Sequence, residues 1–317
     1  MARKTGMLTQ SYELSMALDQ IYKECLIIMF IQVIKIIRFI DSAVFAASPI
    51  DGLLFFLSEV GLEVNLFKLA FSIVAVYLLA VHVFAINDWF DYPRDLKDQN
   101  KRSRADMVSR KAILILSVIS GFGAFVFLSF LSYTSVFVGI VLVILSFLYS
   151  ASWQSYHGKG IPTYSSFLHI LGGVFSFQLG VSIFGDISSL SIFIGFIIGF
   201  FLAGGHLIQE LQDNEGDRIN GVGTNVVILG KKTSLNAALI FFTFGHSMLY
   251  FLIDNLDLSM LIWANTVTAI VIIAIIVYIR SYYLGFKVVS KLRALYRFIY
   301  LIFGSYMIFE VLLKTLL

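Results

Sequence analysis

The sequence predicts an all-α integral membrane protein whose helices form one bundle. Of its 317 residues, 59% are hydrophobic and only 14% are charged, and the mean hydropathy is +0.88. Soluble domains carry charge on roughly a quarter of their residues, whereas a segment of about 20 apolar residues crosses the hydrocarbon core of a bilayer. Apolar segments of that length recur along the whole chain, which is typical of a multi-pass membrane protein.

These segments indicate about nine transmembrane helices. Their approximate ranges are 25–48, 66–88, 112–132, 135–152, 163–185, 187–208, 233–253, 258–279 and 294–316. The first is the least regular, because Lys35, Arg38 and Asp41 interrupt it, and charged residues within a membrane normally face a bundle interior or reach its edge.

The chain is expected to form a single domain over residues 1–317, because only three prolines occur and no Pro/Gly/Ser-rich linker divides it. Residues 1–24 lack the short apolar core of a cleaved signal peptide, so we expect them to be a cytoplasmic N-terminal segment. The single Cys25 excludes a disulfide framework and a cysteine-based metal site.

Basic residues in the loops predict the orientation. The loops after spans two, four, six and eight contain Lys or Arg, and the alternate loops (49–65, 133–134, 186 and 254–257) contain none. Cytoplasmic loops carry the excess of Lys and Arg. We therefore expect the N-terminus and the loops after spans two and six to be cytoplasmic, and the C-terminus to lie on the opposite side.

Two sets of acidic residues with the same spacing follow spans two and six, both on the predicted cytoplasmic side. They consist of Asp88, Asp91 and Asp95 in the first set and Glu210, Asp213 and Asp217 in the second. Residues spaced i, i+3 and i+7 share one face of a helix, where like charges repel. One such set could be the solvated end of a membrane helix, but the repetition favours two carboxylate faces that share divalent cations.

Hard oxygen ligands without Cys or clustered His favour Mg²⁺ or Ca²⁺ over zinc. Mg²⁺ usually takes one or two carboxylates and completes its shell with water and substrate phosphates. The pattern therefore predicts a diphosphate bridged between two metal-loaded faces. Cations that could contact it are Lys101, Arg102, Arg104 and Lys159, and Asn87 could add an amide group. Each basic residue could instead serve topology or anionic lipid head groups.

At these positions the sequence resembles the UbiA-type superfamily of intramembrane prenyltransferases. "NDWFDYPRD", starting at Asn87, fits the superfamily's N-D-x-x-D-x-x-x-D motif, and "DNEGD", starting at Asp213, fits its D-x-x-x-D motif. Glu210 stands where many members have an aspartate. The chain departs from the family pattern at Ala105, which replaces a proline, and it carries a displaced Lys159 after Tyr149 and Ser150.

The resemblance implies a nine-helix bundle with cytoplasmic acidic motif loops after helices two and six. It implies transfer of a polyprenyl group from a prenyl diphosphate to a small aromatic or lipid acceptor, with two Mg²⁺ ions bridged by the diphosphate. The catalytic residues would be Asp88, Asp91, Asp95, Asp213 and Asp217; with Glu210 added these are the metal ligands, and Asn87, Lys101, Arg102, Arg104, Tyr149 and Lys159 would bind substrate.

Two other functions remain compatible with the residues. An intramembrane terpene cyclase would use the same metal and diphosphate site without an acceptor. A transporter would use acidic residues as a cation relay, although that function explains one acidic set better than two. Membrane lipids are the expected surroundings, and no nucleic-acid partner is expected.

Overall fold

The computed structural model describes residues 38–60, 65–98, 101–102, 108–153, 156–255, 259–282 and 285–316. Within those residues, nine helices have between 18 and 31 residues, and one short helix is added between two of them. In chain order they are α1 (Phe39–Val60), α2 (Leu66–Asp95), α3 (Arg110–Ser129), α4 (Tyr133–Ser150), α5 (Tyr164–Phe184), α6 (Ser189–Ile219), α7 (Asn225–Leu229), α8 (Lys231–Asn255), α9 (Ser259–Ser281) and α10 (Phe286–Leu316).

The helices are built to lie in a membrane. Seven of them, α2 to α6, α8 and α9, are long and apolar enough in their described residues to cross a bilayer. Large apolar side chains point outward, including Phe122 at 72% exposure and Trp263 at 77%, as expected of surfaces that face lipid. The predicted multi-pass membrane architecture is confirmed, and the count of nine spans stays a prediction for α1 and α10.

Polar residues fix where several helices begin. The side chain of Asn65 accepts hydrogen bonds from the backbone of Phe67 and Lys68 at the start of α2, and Ser109 caps α3 in the same way. Ser188 and Ser191 form a reciprocal capping box at the start of α6. Such side chains satisfy backbone N–H groups that have no partner within the helix, which matters most where water is scarce.

Apolar clusters between the described helices hold the bundle together, and two of them contain residues from different groups of helices. One is formed by α1 to α5 around Leu79, Leu128 and Leu179, and the other is formed by α6, α8, α9 and α10 around Phe242 and Ile272. Contact between α5 and α6 joins the two groups of helices.

The α5–α6 contact is unusually close because glycines face each other. A Cβ atom on Gly173 would lie 2.3 Å from the Cα atom of Gly199, so neither position has room for a side chain. Small residues at a helix interface allow the backbones to approach, which is a main source of packing energy between helices in lipid. This contact sets the distance between the two groups of helices on either side of the site.

The ends of several helices differ from the prediction. The first predicted span, residues 25–48, lies partly outside the described residues, and α1 does not end at residue 48 but continues through Pro49 to Val60. Helix α2 continues past residue 88 to Asp95, and α6 continues past residue 208 to Ile219. Hydropathy detects the length that faces hydrocarbon, whereas backbone hydrogen bonding continues beyond it.

The placement of the acidic motifs is corrected for the same reason. The sequence predicted motif loops after helices two and six, but both motifs lie on the last turns of α2 and α6 themselves. The helical periodicity that the spacing predicted is confirmed.

The segment between α4 and α5 forms a small antiparallel hairpin. Its strands are β1 (Ser152–Trp153) and β2 (Tyr156–His157), and a single 3₁₀ turn, Gly158–Gly160, follows. The backbone N–H of Gly158 donates to the carbonyl of Ala151 at 3.1 Å. The hairpin therefore returns the chain to the end of α4 and holds Lys159 beside it.

Candidate active site

The carboxylate of Asp91, on the last turns of α2, is buried and surrounded by donors. It pairs with Nζ of Lys159 at 2.7 Å and with a guanidinium nitrogen of Arg94 at 2.6 Å. The amide of Asn87 donates to it at 3.3 Å. A buried carboxylate requires opposite charge and hydrogen bonds to offset the loss of water, and Lys159 comes from the 3₁₀ turn after the hairpin, 68 residues away in sequence.

Asn87 connects this carboxylate to α4. While its amide nitrogen donates to Asp91, its amide oxygen accepts from the hydroxyl of Ser150 at 3.3 Å. Asn87 is therefore held in one orientation by two neighbours, consistent with the predicted role of its amide at the site.

Asp88 belongs to a chain of ion pairs that reaches the last helix. Arg38 lies 3.2 Å from Asp88 and 2.8 Å from Asp41, and Asp41 also lies 3.2 Å from Arg297 on α10. These contacts join α1, α2 and α10 at the level of the first motif. Arg38 and Asp41, two of the charged residues that interrupt the first predicted span, are therefore partly buried and paired with each other.

Asp213, on α6, is linked to the segment that follows the first motif. Nζ of Lys101 lies 3.2 Å from a carboxylate oxygen of Asp213. The ends of α2 and α6 also meet directly, because a Cβ atom on Gly216 would lie 2.3 Å from a carboxylate oxygen of Asp98. Glycine at this position leaves room for the chain after α2 to pass against α6.

The charge state of Lys101 reflects carboxylates from both motifs. Burial lowers the pKa of Lys101, but the carboxylates of Asp213, Asp95 and Asp217 together raise it further, so that the pKa lies above its ordinary value of 10.5. A single ammonium group therefore feels Asp95 of the first set together with Asp213 and Asp217 of the second. Together with the 3.2 Å contact between Lys101 and Asp213 and the approach of Asp98 to Gly216, this places the two acidic sets at one site.

Glu210, the first residue of the second set, has different surroundings. One of its carboxylate oxygens lies 2.9 Å from Nε2 of His206 and accepts from the side chain of Asn225 at 3.0 Å. The other accepts from the backbone N–H of Val226 at 3.3 Å. Glu210 thus fastens α6 to α7, and these partners favour a structural role over the metal-ligand role, which stays a prediction.

Aromatic rings lie beside this point. The imidazoles of His169 and His206 stack with centroids 3.8 Å apart, and the ring of Tyr149 meets His169 edge-on at 4.9 Å. The positions of Tyr149, His169 and His206 along the sequence do not predict that they meet, because they lie on three different helices. The fold alone brings these three rings together.

A large cavity opens next to these residues. It has a volume of about 1120 Å³ and is lined by Asn87, Tyr149 and His206 near the motifs, but also by Leu190 near the start of α6. The residues of α6 that line the cavity run from Leu190 to Gln209, and these two are separated by roughly 28 Å of helix at 1.5 Å rise per residue. The cavity therefore extends through most of the thickness of a hydrocarbon core, and its remaining lining is mainly apolar.

The remaining predicted substrate-binding residues are Arg102 and Arg104. Arg102 is exposed at the end of the segment after α2, and Arg104 lies outside the described residues. Arg293 and Arg297, which also line the cavity, were not singled out from the sequence: Arg293 was one of the basic loop residues that indicated the orientation, and Arg297 falls inside the last predicted span.

The donor set fits Mg²⁺. Within the described ranges no three His, Cys, Asp or Glu side chains converge closely enough to form a metal site by themselves. Mg²⁺ needs fewer, because it is commonly bound by one or two carboxylates together with water and substrate phosphates. The five aspartates of the two motifs supply such oxygens, and Arg38, Lys159 and Lys101 already compensate the charge of three of them.

The chain resembles several known proteins in sequence or in fold. A digeranylgeranylglyceryl phosphate synthase of Natronomonas pharaonis is 25% identical over 176 residues, which cover 54% of this chain and 60% of that protein. A solved digeranylgeranylglyceryl phosphate synthase structure has a TM-score of 0.65 at 18% identity and covers 89% of this chain and 98% of that one. An Archaeoglobus fulgidus UbiA homologue bound to DMAPP and Mg²⁺ has a TM-score of 0.63 at 15% identity, with coverage of 86% and 98%.

These structures share the helical fold of the chain, and a sequence model of one family matches residues 52–303. The match includes both acidic motifs and the long helices that carry them. It confirms the family expected from "NDWFDYPRD" and "DNEGD". The chain belongs to the UbiA prenyltransferase family.

Proposed function

We propose that the protein transfers a polyprenyl group from a prenyl diphosphate to a lipid-like acceptor in an Mg²⁺-dependent reaction. The observation that carries this proposal is the meeting of the two motif-bearing helix ends, where Lys101 lies 3.2 Å from Asp213 and Asp98 lies against Gly216, beside a cavity of about 1120 Å³ that runs along the bundle. A diphosphate requires the polar end, and a polyprenyl chain requires the apolar cavity.

The diphosphate would be held by the two motif faces. Asp88, Asp91 and Asp95 would hold one ion and Asp213 and Asp217 the other, and Mg²⁺ when bound neutralises the diphosphate and stabilises it as a leaving group. The ammonium group of Lys159 forms an ion pair with Asp91, and that of Lys101 forms one with Asp213. Each can therefore transfer its N–H donors from a carboxylate to a phosphate oxygen over a short distance.

The bond that breaks joins the first prenyl carbon to a diphosphate oxygen, and the electron pair leaves with the diphosphate. An allylic chain then carries delocalised positive charge, which water would capture. The apolar walls of the cavity exclude water from that carbon, and the electron-rich face of a ring such as Tyr149 can stabilise the cation. The acceptor forms the new bond and releases one proton.

The choice of a lipid-like acceptor over an aromatic one is supported by the Natronomonas pharaonis relative and by the size of the cavity. Ligand pockets for drug-sized molecules are roughly 300–1,000 Å³, and this cavity exceeds that range, which suits two long chains better than one chain and a small ring. The positive-inside pattern supports a cytoplasmic location for the motif ends of α2 and α6.

The proposal is tested with purified protein in detergent. Incubation with geranylgeranyl diphosphate, Mg²⁺ and an alkylglyceryl phosphate should release diphosphate and give a prenylated lipid, and removal of the divalent ion by chelation should stop both. A matched reaction with an aromatic carboxylic acid should be slower. Diphosphate release with a cyclic hydrocarbon as the product, independent of any acceptor, would overturn the proposal in favour of a cyclase.

A further inference from the structure

Two arginines at the start of α10 face the same cavity. Arg293 and Arg297 are four residues apart and both line the cavity wall. Residues at that spacing are neighbours on a helix surface, where like charges are destabilising. Two cations on a cavity wall therefore call for a compensating anion.

Among the described residues, a carboxylate lies within ion-pair distance of only one of them. Arg297 lies 3.2 Å from Asp41. Arg293 instead donates to the amide oxygens of Gln209 at 2.5 Å and Gln212 at 3.5 Å, and its Nε is buried without a hydrogen-bond partner. Among the described residues no carboxylate forms an ion pair with Arg293 within 4 Å, so its direct hydrogen-bond partners are neutral amides, an arrangement that is unfavourable away from water.

The pair is adjacent to the diphosphate site but separate from it. Gln209 lies one helical turn before Asp213 on the same face of α6, so Arg293 contacts the surface that continues from the second motif. Lys101 and Lys159 serve the carboxylates of the motifs, whereas Arg293 contacts none of them. A prenyl diphosphate held by the motifs would leave Arg293 available for another anion.

We propose that Arg293 and Arg297 bind the anionic head group of the acceptor, and that this head group is a phosphate monoester on a long-chain lipid. The inference rests on the proposed function, since it assigns a site to the acceptor of that reaction. Guanidinium groups present planar pairs of donors that match phosphate oxygens. A phosphate monoester carries about −1.5 to −2 charges at pH 7, which suits two arginines better than the single charge of a carboxylate.

The cavity explains why the phosphate should belong to a lipid. Arg293 and Arg297 lie on the same wall as Tyr300 and Leu301, and the cavity continues to Met307 further along α10. A head group at the arginines would direct its hydrocarbon chains along this wall into the membrane.

The test compares kinetic constants for two acceptors in the full-length protein. Arg293→Gln should raise the KM for an alkylglyceryl phosphate by about 10- to 100-fold, as expected for the loss of a charge-assisted hydrogen bond. The KM for geranylgeranyl diphosphate should stay within about twofold, as should the rate with the alkylglycerol that lacks the phosphate. Arg293→Lys keeps the charge and should recover part of the affinity.

Lys291→Gln is the matched control, because it removes one positive charge from an exposed position on the same helix and should change neither constant. Direct binding of the alkylglyceryl phosphate, measured without donor, should weaken in Arg293→Gln to the same extent as the KM rises. If the wild-type protein transfers prenyl groups but Arg293→Gln affects both acceptors equally, or affects an aromatic carboxylate more, the head-group site is refuted while the transferase function stands. If the wild type transfers nothing, the proposed function fails, and the binding measurement alone decides the role of Arg293.

Discussion

Replacement of Asp91 by Asn tests the site most directly, because the structure gives this residue two roles. As a proposed metal ligand it is required for turnover. As a buried carboxylate it also pairs with Lys159 and Arg94 at 2.7 and 2.6 Å. Asp213, on the facing helix, is a proposed metal ligand too, but among the described residues it forms one ion pair, with Lys101, and both side chains of that pair are more exposed.

The two substitutions should therefore differ in stability although they agree in activity. Removing one partner of a buried pair leaves uncompensated charge and destabilises by about 3–5 kcal/mol. Asn keeps the shape and one acceptor oxygen, so we expect about 2–4 kcal/mol for Asp91→Asn. The pair of Asp213 with Lys101 is a single, partly buried contact, so Asp213→Asn should cost less, about 1–2 kcal/mol. Turnover should fall by more than about 100-fold in both, beyond the effect typical of groups that only support a metal ligand.

Thermal unfolding in detergent, followed by tryptophan fluorescence, measures the difference. Trp89 lies on α2 only two residues before Asp91, so the emission reports on the affected helix. Diphosphate release from geranylgeranyl diphosphate gives the activity of the same preparations. Equal unfolding midpoints for the two variants would refute the account of Asp91 as a buried, doubly paired carboxylate, and near-normal turnover in either would refute its assignment as a metal ligand.

Three further predictions concern stability and metal binding. Because the pKa of Lys101 is raised above 10.5, its ion pair should stabilise the protein fully below pH 10.5 and lose its effect as the pH rises through the raised pKa. The difference in unfolding midpoint between wild type and Lys101→Gln should therefore be constant from about pH 7 to pH 9 and shrink above 10.5. Lys97→Gln, at an exposed position, is the control and should show no such change. Gly173→Ala should push α5 away from α6 and lower the unfolding midpoint, since its Cβ would lie 2.3 Å from the backbone of Gly199. The control is Gly172→Ala, whose Cβ meets nothing within 4 Å. If Gly172→Ala lowered the midpoint as much as Gly173→Ala, the close-packed interface would be contradicted. Glu210→Gln should lower stability by about 1–3 kcal/mol through its contacts to α7 while leaving Mg²⁺ affinity within about twofold, and a loss of affinity matching that of Asp213→Asn would restore the metal-ligand role.

Much of the fold was predictable because lipid imposes a simple rule. A chain in hydrocarbon must satisfy its backbone within helices, so long apolar runs gave the helices and their order. The ends of α1, α2 and α6 were not predictable to the same degree, because a helix continues into the interface where its residues become polar. For this reason the two acidic motifs were expected on loops and lie on helices.

The site was predictable where its chemistry is local in sequence. The 3-then-4 spacing placed Asp88, Asp91 and Asp95 on one face of a helix, and the oxygen-only donor set indicated Mg²⁺. The same spacing in the second set did not reveal that Glu210 faces His206 and α7, because spacing gives the direction of a side chain around its helix but not what packs against it.

By itself, the sequence determined that the chain spans a membrane, which residues carry negative charge at two helix ends, and to which family it belongs, since each of these depends on residue type and spacing along the chain. Only the tertiary structure decided that Lys159 meets Asp91 across 68 residues and that Arg297 meets Asp41 across 256. It also decided that Arg293 reaches the cavity wall without a carboxylate partner among the described residues. Contacts of this kind depend on how helices pack in three dimensions, and a one-dimensional pattern of apolar and charged residues is compatible with many such packings.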